Sequence, residues 1–270
     1  MTDQQERAEA FWARHSTGGP LLLPNPWDRG SAVLLTSLGF EALATTSSGS
    51  AATLARRDGA LTRDEALEHA ASIVGATDLP VSADFEDGFT DDPAGVAETI
   101  GLARQVGLAG CSVEDYARHA DTIYDIDRAT ERVAAAADAA HRGARLVLTA
   151  RAENFAHGQA DLADTITRLQ RYQEAGADVL FAPGLVDADD LRTLVAAVDR
   201  PVNVLALEGC PPVATLSEIG VRRISVGGGF AFAAYGAAVE AATELRDQGT
   251  YGYRTRAKVG ATAARAAFPG

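Results

Sequence analysis

The 270-residue sequence predicts an α/β fold of the (β/α)8 TIM-barrel type, in which eight parallel strands alternate with helices. Three observations predict it. A unit of amphipathic helix, glycine and apolar strand recurs along the chain. The strand-like runs are continuously apolar rather than alternating, as in strands covered on both faces. Eight such units fit one domain of this length. A doubly wound open sheet is the alternative, but it carries a glycine fingerprint after its first strand, and nothing after Leu23 resembles one.

Residues 1–19 read as an N-terminal helix, and the apolar run 21–24 opens the strand series. Leu38-Gly39-Phe40 precedes the second strand at 42–46, and Pro80-Val81 leads into the third. Val106-Gly107-Leu108 precedes the fourth at 110–114, and residues 145–150 form the fifth. Ala175-Gly176-Ala177 precedes the sixth at 179–182, Pro201-Val202 starts the seventh, and Ile219-Gly220-Val221 precedes the eighth at 223–226. Each glycine stands just past a helix end, where a left-handed residue ends the helix at least cost. A last helix spans 230–248 and a tail follows over 249–270. No linker or composition break divides the chain, so residues 1–270 read as a single barrel domain.

Composition narrows the function. The chain carries 24 Lys and Arg against 37 Asp and Glu, a net charge of −13, which argues against nucleic acid or an anionic membrane as partner. Two cysteines, Cys111 and Cys210, offer neither a disulfide framework nor metal spacing and suit a reducing cytoplasm. Met1 to His15 lacks the basic start and apolar run of a signal peptide. Lys258 is the only lysine and falls in the tail, so chemistry through a lysine Schiff base is not expected.

In such barrels the active site lies at the carboxyl ends of the strands. Here those ends collect polar and charged residues: Asn25 and Asp28, Thr46-Ser47-Ser48-Gly49, Asp84 and Glu86, Glu114-Asp115, Arg151 and Glu153, Pro183-Gly184, Asn203, and Gly227-Gly228-Gly229. In an extended strand Asp84 and Glu86, two residues apart, project to the same side. Two carboxylates aimed at one point repel, and a hard divalent cation such as Mg²⁺ relieves them. Glu114 from the next strand and Asp58 from the loop after the second would complete the set. Asp84 is the expected direct ligand, since Mg²⁺ keeps several waters. The other reading is a solvated acidic loop with helix caps, to which Asp87, Asp91 and Asp92 belong.

Arg151 would enter the same mouth, its planar fork suited to carboxylate or phosphate. Glu153 is either its structural partner or part of the same grip. Thr46, Ser47 and Ser48 supply hydroxyls and N–H groups for a second anionic group. The triple glycine either receives a phosphate or permits close backbone packing. His69, His119, His141 and His157 have no metal spacing and read as surface residues.

With these residues in place, the chain resembles the isocitrate lyase/phosphoenolpyruvate mutase superfamily. Asp84-Phe-Glu-Asp-Gly-Phe is similar to that family's Asp-Ala-Asp-Thr-Gly-Tyr/Phe strand end, with Glu86 in place of the second aspartate. Gly110-Cys-Ser-Val-Glu114-Asp115 resembles its next acidic strand end, and Ala150-Arg151-Ala-Glu153 its substrate-gripping arginine with the following acid. Thr46-Ser47-Ser48-Gly49 with Arg57-Asp58 resembles its anion-binding loop and outer metal acid. The segment from Asn203 to Pro211 aligns loosely with strand seven of the 2-methylisocitrate lyase branch. The likeness covers roughly residues 20–235.

The resemblance implies Mg²⁺ as cofactor and a small 2-oxo or 2-hydroxy acid as substrate. It implies lyase or phosphonomutase-type chemistry through an enolate-like intermediate, with Arg151, Glu114 and Asp58 catalytic. Thr46, Ser47, Ser48, Arg151, Glu153 and Asn203 would bind substrate, and Asp84, Glu86, Glu114 and Asp58 would hold the metal. It also implies a homo-oligomer, dimer or tetramer, with the last helix exchanged between protomers. One departure stands out. The family's loop after the fourth strand carries cysteine in lyases and lysine in mutases and hydrolases, whereas residues 114–125 here contain neither. Tyr116, Arg118 and His119 are the substitutes in reach. Oxaloacetate or phosphonopyruvate hydrolysis, decarboxylation, and a catalytically degenerate barrel that only binds a metabolite are the alternatives.

Overall fold

The computed structural model describes residues 3–268. The outermost residues of both expected terminal segments, 1–2 and 269–270, lie outside the described residues. In chain order the strands are β1 (Leu21–Leu23), β2 (Leu43–Ala44), β3 (Val81–Asp84), β4 (Gly110–Glu114), β5 (Tyr116–Ala117), β6 (Thr122–Ile123), β7 (Val147–Arg151), β8 (Val179–Phe181), β9 (Val202–Leu205) and β10 (Arg223–Ser225). Eight of them form one sheet in the order β1-β10-β9-β8-β7-β4-β3-β2, with every neighbouring pair parallel. β5 and β6 form a separate antiparallel ribbon. The eight expected strands are thus the eight of the barrel.

The sheet is nearly closed. Its two edges, β1 and β2, meet through one backbone bond from Ala44 N–H to the Pro24 carbonyl at 3.0 Å. Asn25 bolts the joint. Its amide donates to the Thr45 carbonyl at 2.8 Å, and its Oδ1 accepts from Val226 N–H and Gly227 N–H at 2.9 Å each.

Helices wrap the cylinder because their apolar stripes need covering and the strands are apolar outside. Helix Arg63–Val74 begins with a capping box in which Thr62 and Glu65 satisfy each other's N–H groups. Asp28 caps helix Arg29–Ser37 in the same way with Ser31, which accounts for that strand-end acid without a site role. Helix Asp3–Arg14 seals the amino end: Ala8 and Phe11 pack with Leu21, Ala42, Ala109, Val147 and Val179, residues at or beside strand starts. Gly110 permits this, since a Cβ there would fall 2.9 Å from Phe11 Cε1 and 2.7 Å from the Val147 carbonyl. The carboxyl end is left open.

The expected tail differs. Gly249 ends helix Gly229–Gln248 in the left-handed conformation at φ +64°, and a further helix, Arg254–Ala267, follows. Its Ala- and Arg-rich sequence favours helix through local propensity alone. It packs near helix Arg29–Ser37, where Phe268 approaches Gly30. Among the described residues no helix is long and apolar enough to cross a membrane.

Candidate active site

The carboxyl ends of the strands open into two adjoining cavities. The inner one, about 180 Å³, runs down into the barrel past Ser82, Ser112 and Asn203 to Arg223. The outer one, about 510 Å³, is bounded by Glu86, Glu114, Tyr116, Arg118, Glu153 and His157. Ser47, Asp58 and Arg151 line both.

Arg151, the last residue of β7, is the hub. Its Nη1 donates to Asp84 Oδ1 at 2.8 Å, its Nε to Glu153 Oε1 at 2.7 Å, and its Nη2 stands 3.1 Å from Glu114 Oε2. Register brings them close: Glu114 lies opposite Arg151 across β4 and β7, while Asp84 ends β3 opposite Ser112, two residues before Glu114, within reach of the long Arg151 side chain. Burial raises the Asp84 carboxyl, but the Arg151 charge and bonds from Ser47 and the backbone outweigh it and hold it below the usual range. For Glu114 and Glu153 burial prevails over Arg151, leaving both raised. The three acids in turn hold the Arg151 proton well beyond the ordinary value, against burial.

Glu86 departs from the alternation expected of it. β3 ends at Asp84, and Glu86 takes φ +47°, so the chain has already turned. A left-handed non-glycine residue costs about 1–2 kcal/mol and persists only where its surroundings hold it. They do: Glu86 N–H bonds to Asp84 Oδ1, and the Glu86 carbonyl accepts from Glu114 N–H at 2.9 Å. Burial and then the Asp84 charge push the Glu86 carboxyl up to about 7, against the pull of Arg118. Its Oε1 is buried and has no hydrogen-bond partner among the described residues.

Arg118 comes from the ribbon that follows β4. It pairs with Glu86 and Asp87, the latter at 2.9 Å, and donates to the Gly59 carbonyl at 2.9 Å. The four acids expected around one point are therefore divided: Asp84 and Glu114 meet at Arg151, Glu86 turns to Arg118, and Asp58 is held by the Ser47 hydroxyl. Among the described residues no three acid, histidine or cysteine side chains are arranged as ligands of one ion. Asp58 lies on an exposed loop, its carboxyl raised by partial desolvation and then by Asp84, with the Ser47 hydroxyl bonded to it. Asp87, buried though left outside the expected site, anchors Arg118.

Thr46 caps the short helix Ser47–Thr53, and its hydroxyl lies 3.1 Å from that of Ser48. Ser47 N–H points to Asp84 Oδ2 at 3.4 Å. The triple glycine serves close packing here. A Cβ on Gly228 would fall 2.6 Å from Ser48 Oγ and 2.7 Å from the Phe232 ring. Asn203 is buried, and its amide is committed inward, donating to Ser225 Oγ at 3.0 Å and accepting from Arg223 Nε at 2.9 Å.

Two site residues escaped the sequence reading. His157 is no mere surface residue: it stacks on Tyr116 with ring centroids 3.5 Å apart, at the rim of the outer cavity. Only its neighbourhood to Glu153, four residues earlier, hinted at this. Arg223 was read simply as a strand residue, although an arginine in an otherwise buried run is itself a signal. Of the three substitutes for the missing loop residues, Tyr116 reaches the cavity and donates to Asp121, Arg118 is consumed by Glu86 and Asp87, and His119 pairs with Asp91 outside it. His141 is exposed and bonded to Asp178, and His69 is half-buried and bonded to the Trp27 carbonyl.

Comparison with known proteins places the chain in a family. The profile of the phosphoenolpyruvate phosphomutase family matches residues 11–246. An uncharacterized protein of Mycobacterium tuberculosis is 34% identical over 219 residues, covering 81% of each chain. Oxaloacetate decarboxylase of Chromohalobacter salexigens is 32% identical over 232 residues, covering 82% of this chain and 79% of its own. A crystal structure from Burkholderia cenocepacia J2315, described provisionally as a lyase/mutase, superposes with a TM-score of 0.95 at 49% identity over 98% of this chain and 97% of that one.

Proposed function

Since the chain belongs to the phosphoenolpyruvate phosphomutase family, within the isocitrate lyase/phosphoenolpyruvate mutase superfamily, we propose that it is a Mg²⁺-dependent enzyme cleaving or rearranging a small 2-oxo or 2-hydroxy acid. The reaction class is that of a lyase or phosphonomutase, through an enolate-like intermediate. One observation carries this reading: acids outnumber cations at the open end of the barrel. Asp84, Glu86, Glu114 and Glu153 share only Arg151 and Arg118, Asp58 stands beside them on its loop, and Glu86 Oε1 has no partner among the described residues. Unpaired buried carboxylate is costly, and an all-oxygen donor set of this kind fits Mg²⁺. Asp84 would hold the ion, with Asp58, Glu86 and Glu114 around it. Bound there, a divalent ion supplies Lewis-acid polarisation of a substrate oxygen.

The chain's own residues do the rest. Arg151, fixed by Glu153, Asp84 and Glu114, offers the second N–H of Nη1 and of Nη2 to substrate oxygens and stabilises charge as it develops. Thr46, Ser47 and Ser48 orient a second polar group of the substrate, and Asn203 acts from the cavity wall. Tyr116 Oη carries a proton at the rim, and desolvation lowers the His157 ring so that it is neutral at pH 7 and accepts one. The apolar side chains Phe232, Tyr235, Val239 and Val259, exposed on the last two helices, support a homo-oligomer, dimer or tetramer, built through that region.

Decarboxylation of a 2-oxo diacid is the second reading. It is favoured by the ribbon, which presents neither cysteine nor lysine, because loss of CO₂ requires no base to deprotonate a substrate hydroxyl. Calorimetry of the wild type and Asp84→Ala with Mg²⁺ and oxalate tests the site, and wild-type affinity in the mutant refutes it. Release of pyruvate, CO₂ and phosphate from a panel of acids separates the two readings.

A further inference from the structure

The turn after β3 is held in a conformation that most of its residues resist. Glu86, Gly88 and Phe89 take φ of +47°, +74° and +64°. Only the glycine does so freely, and the other two relax unless something outside the turn restrains them. Glu86 is the side chain this turn delivers to the outer cavity. Its own backbone bonds, to Asp84 and Glu114, fix only the start of the turn.

Two helices grip the remainder. Arg132, on helix Ile126–His141, is 1% exposed and is the bulkiest fully buried side chain among the described residues. Among those residues no carboxylate pairs with its guanidinium, whereas Arg151 is engaged by three and Arg118 by two. Nη2 donates instead to the Asp87 carbonyl and Nη1 to the Thr90 carbonyl, with Cζ 4.4 Å from the centre of the Tyr124 ring. Thr99, wholly buried on helix Pro93–Gln105, donates from Oγ1 to the Gly88 carbonyl at 3.1 Å. Val96 of the same helix closes the grip, since a Cβ on Gly88 would fall 3.1 Å from its Cγ2.

A desolvated arginine burdens a core where an apolar residue would not. What it does here is specific. Its planar fork spans two carbonyls three residues apart, which a single ammonium does not match, and an apolar side chain would leave both carbonyls without a donor. We propose that Arg132, assisted by Thr99, is a positioning residue for the cation site: it keeps the left-handed turn wound, so that Glu86 stays at the cavity as a ligand. This rests on the reading of the rim as a Mg²⁺ site and extends that site to residues that touch neither ion nor substrate.

Calorimetric titration of the full chain with Mg²⁺ alone tests the proposal, with thermal melts to verify that each variant is folded at the titration temperature. Arg132→Lys keeps the charge but loses the fork, and is expected to weaken Mg²⁺ roughly tenfold. Thr99→Val preserves the shape without the hydroxyl and is expected to weaken it roughly threefold. It carries the same test should Arg132→Lys fail to fold. Glu86→Gln weakens Mg²⁺ by itself, and in that background neither substitution is expected to weaken it further, because the ligand they position is gone. Wild-type Mg²⁺ affinity in the folded variants, or an equal loss with Glu86 present and replaced, overturns the proposal and leaves the Mg²⁺ reading standing. Absence of Mg²⁺ binding in the wild type overturns both.

Discussion

Replacing Glu86 with glutamine makes the sharpest test of the acid excess at the rim. In the folded chain the Glu86 carboxyl holds its proton up to about 7, against an ordinary value of 4.5. A group whose folded value lies above the unfolded one keeps its proton while the unfolded chain releases it. Stability therefore falls as pH rises through that window and is fully retained below it. At 1.4 kcal/mol per pH unit, the Glu86 charge costs the metal-free protein roughly 3 kcal/mol above pH 7. Glu86→Gln removes that cost, less about 1 kcal/mol for a buried amide with incomplete bonding. Arg118 is not orphaned, since Asp87 and the Gly59 carbonyl still hold it. In EDTA the variant should melt roughly 4 °C higher than wild type at pH 8 and roughly 2 °C lower near pH 4.5, where the charge cost is gone and only the amide penalty is left. Adding Mg²⁺ should reverse the order, because only the wild type retains the carboxylate that stabilises a bound cation. A wild type that melts higher than the variant at pH 8 in EDTA, or a gap untouched by Mg²⁺, refutes the reasoning.

Two further outcomes follow from the geometry. Asn25→Ala leaves Val226 N–H, Gly227 N–H and the Thr45 carbonyl without their partner; at about 1 kcal/mol per bond, urea unfolding should show roughly 2–3 kcal/mol lost. Tyr116→Phe keeps the ring stacked on His157 but removes the hydroxyl; if Oη carries the proton, kcat on the best acid of the panel drops at least 100-fold with KM within threefold.

The barrel was legible because its signals are local and repeated: a glycine after each of four helices, apolar runs without alternation, and polar residues massed at one set of strand ends. Asp84, Glu114, Arg151 and Glu153 were readable as neighbours for the same reason, since parallel strands bring their carboxyl ends to one rim. Glu86 was misjudged in orientation, because the left-handed turn after Asp84 arises from the bonds its backbone makes to Asp84 and Glu114, which no local pattern announces. Arg118 and His157 depend on how the ribbon folds back across the mouth, a matter of long-range closure. Arg223 lay within a strand that the apolar rule was expected to fill. Helix Arg254–Ala267 was missed because its helix-forming composition was read as a tail.

The joint between β1 and β2 has a mechanical consequence. Five residue pairs knit β4 to β7, while one backbone bond and a single side chain hold the opposite wall together. Thermal breathing of the cylinder will concentrate at that slit, and the slit borders the Thr46–Ser48 loop. The aperture through which small molecules arrive is thus hinged at the weakest stave, and the Ala44 amide should exchange its hydrogen well ahead of those on β4.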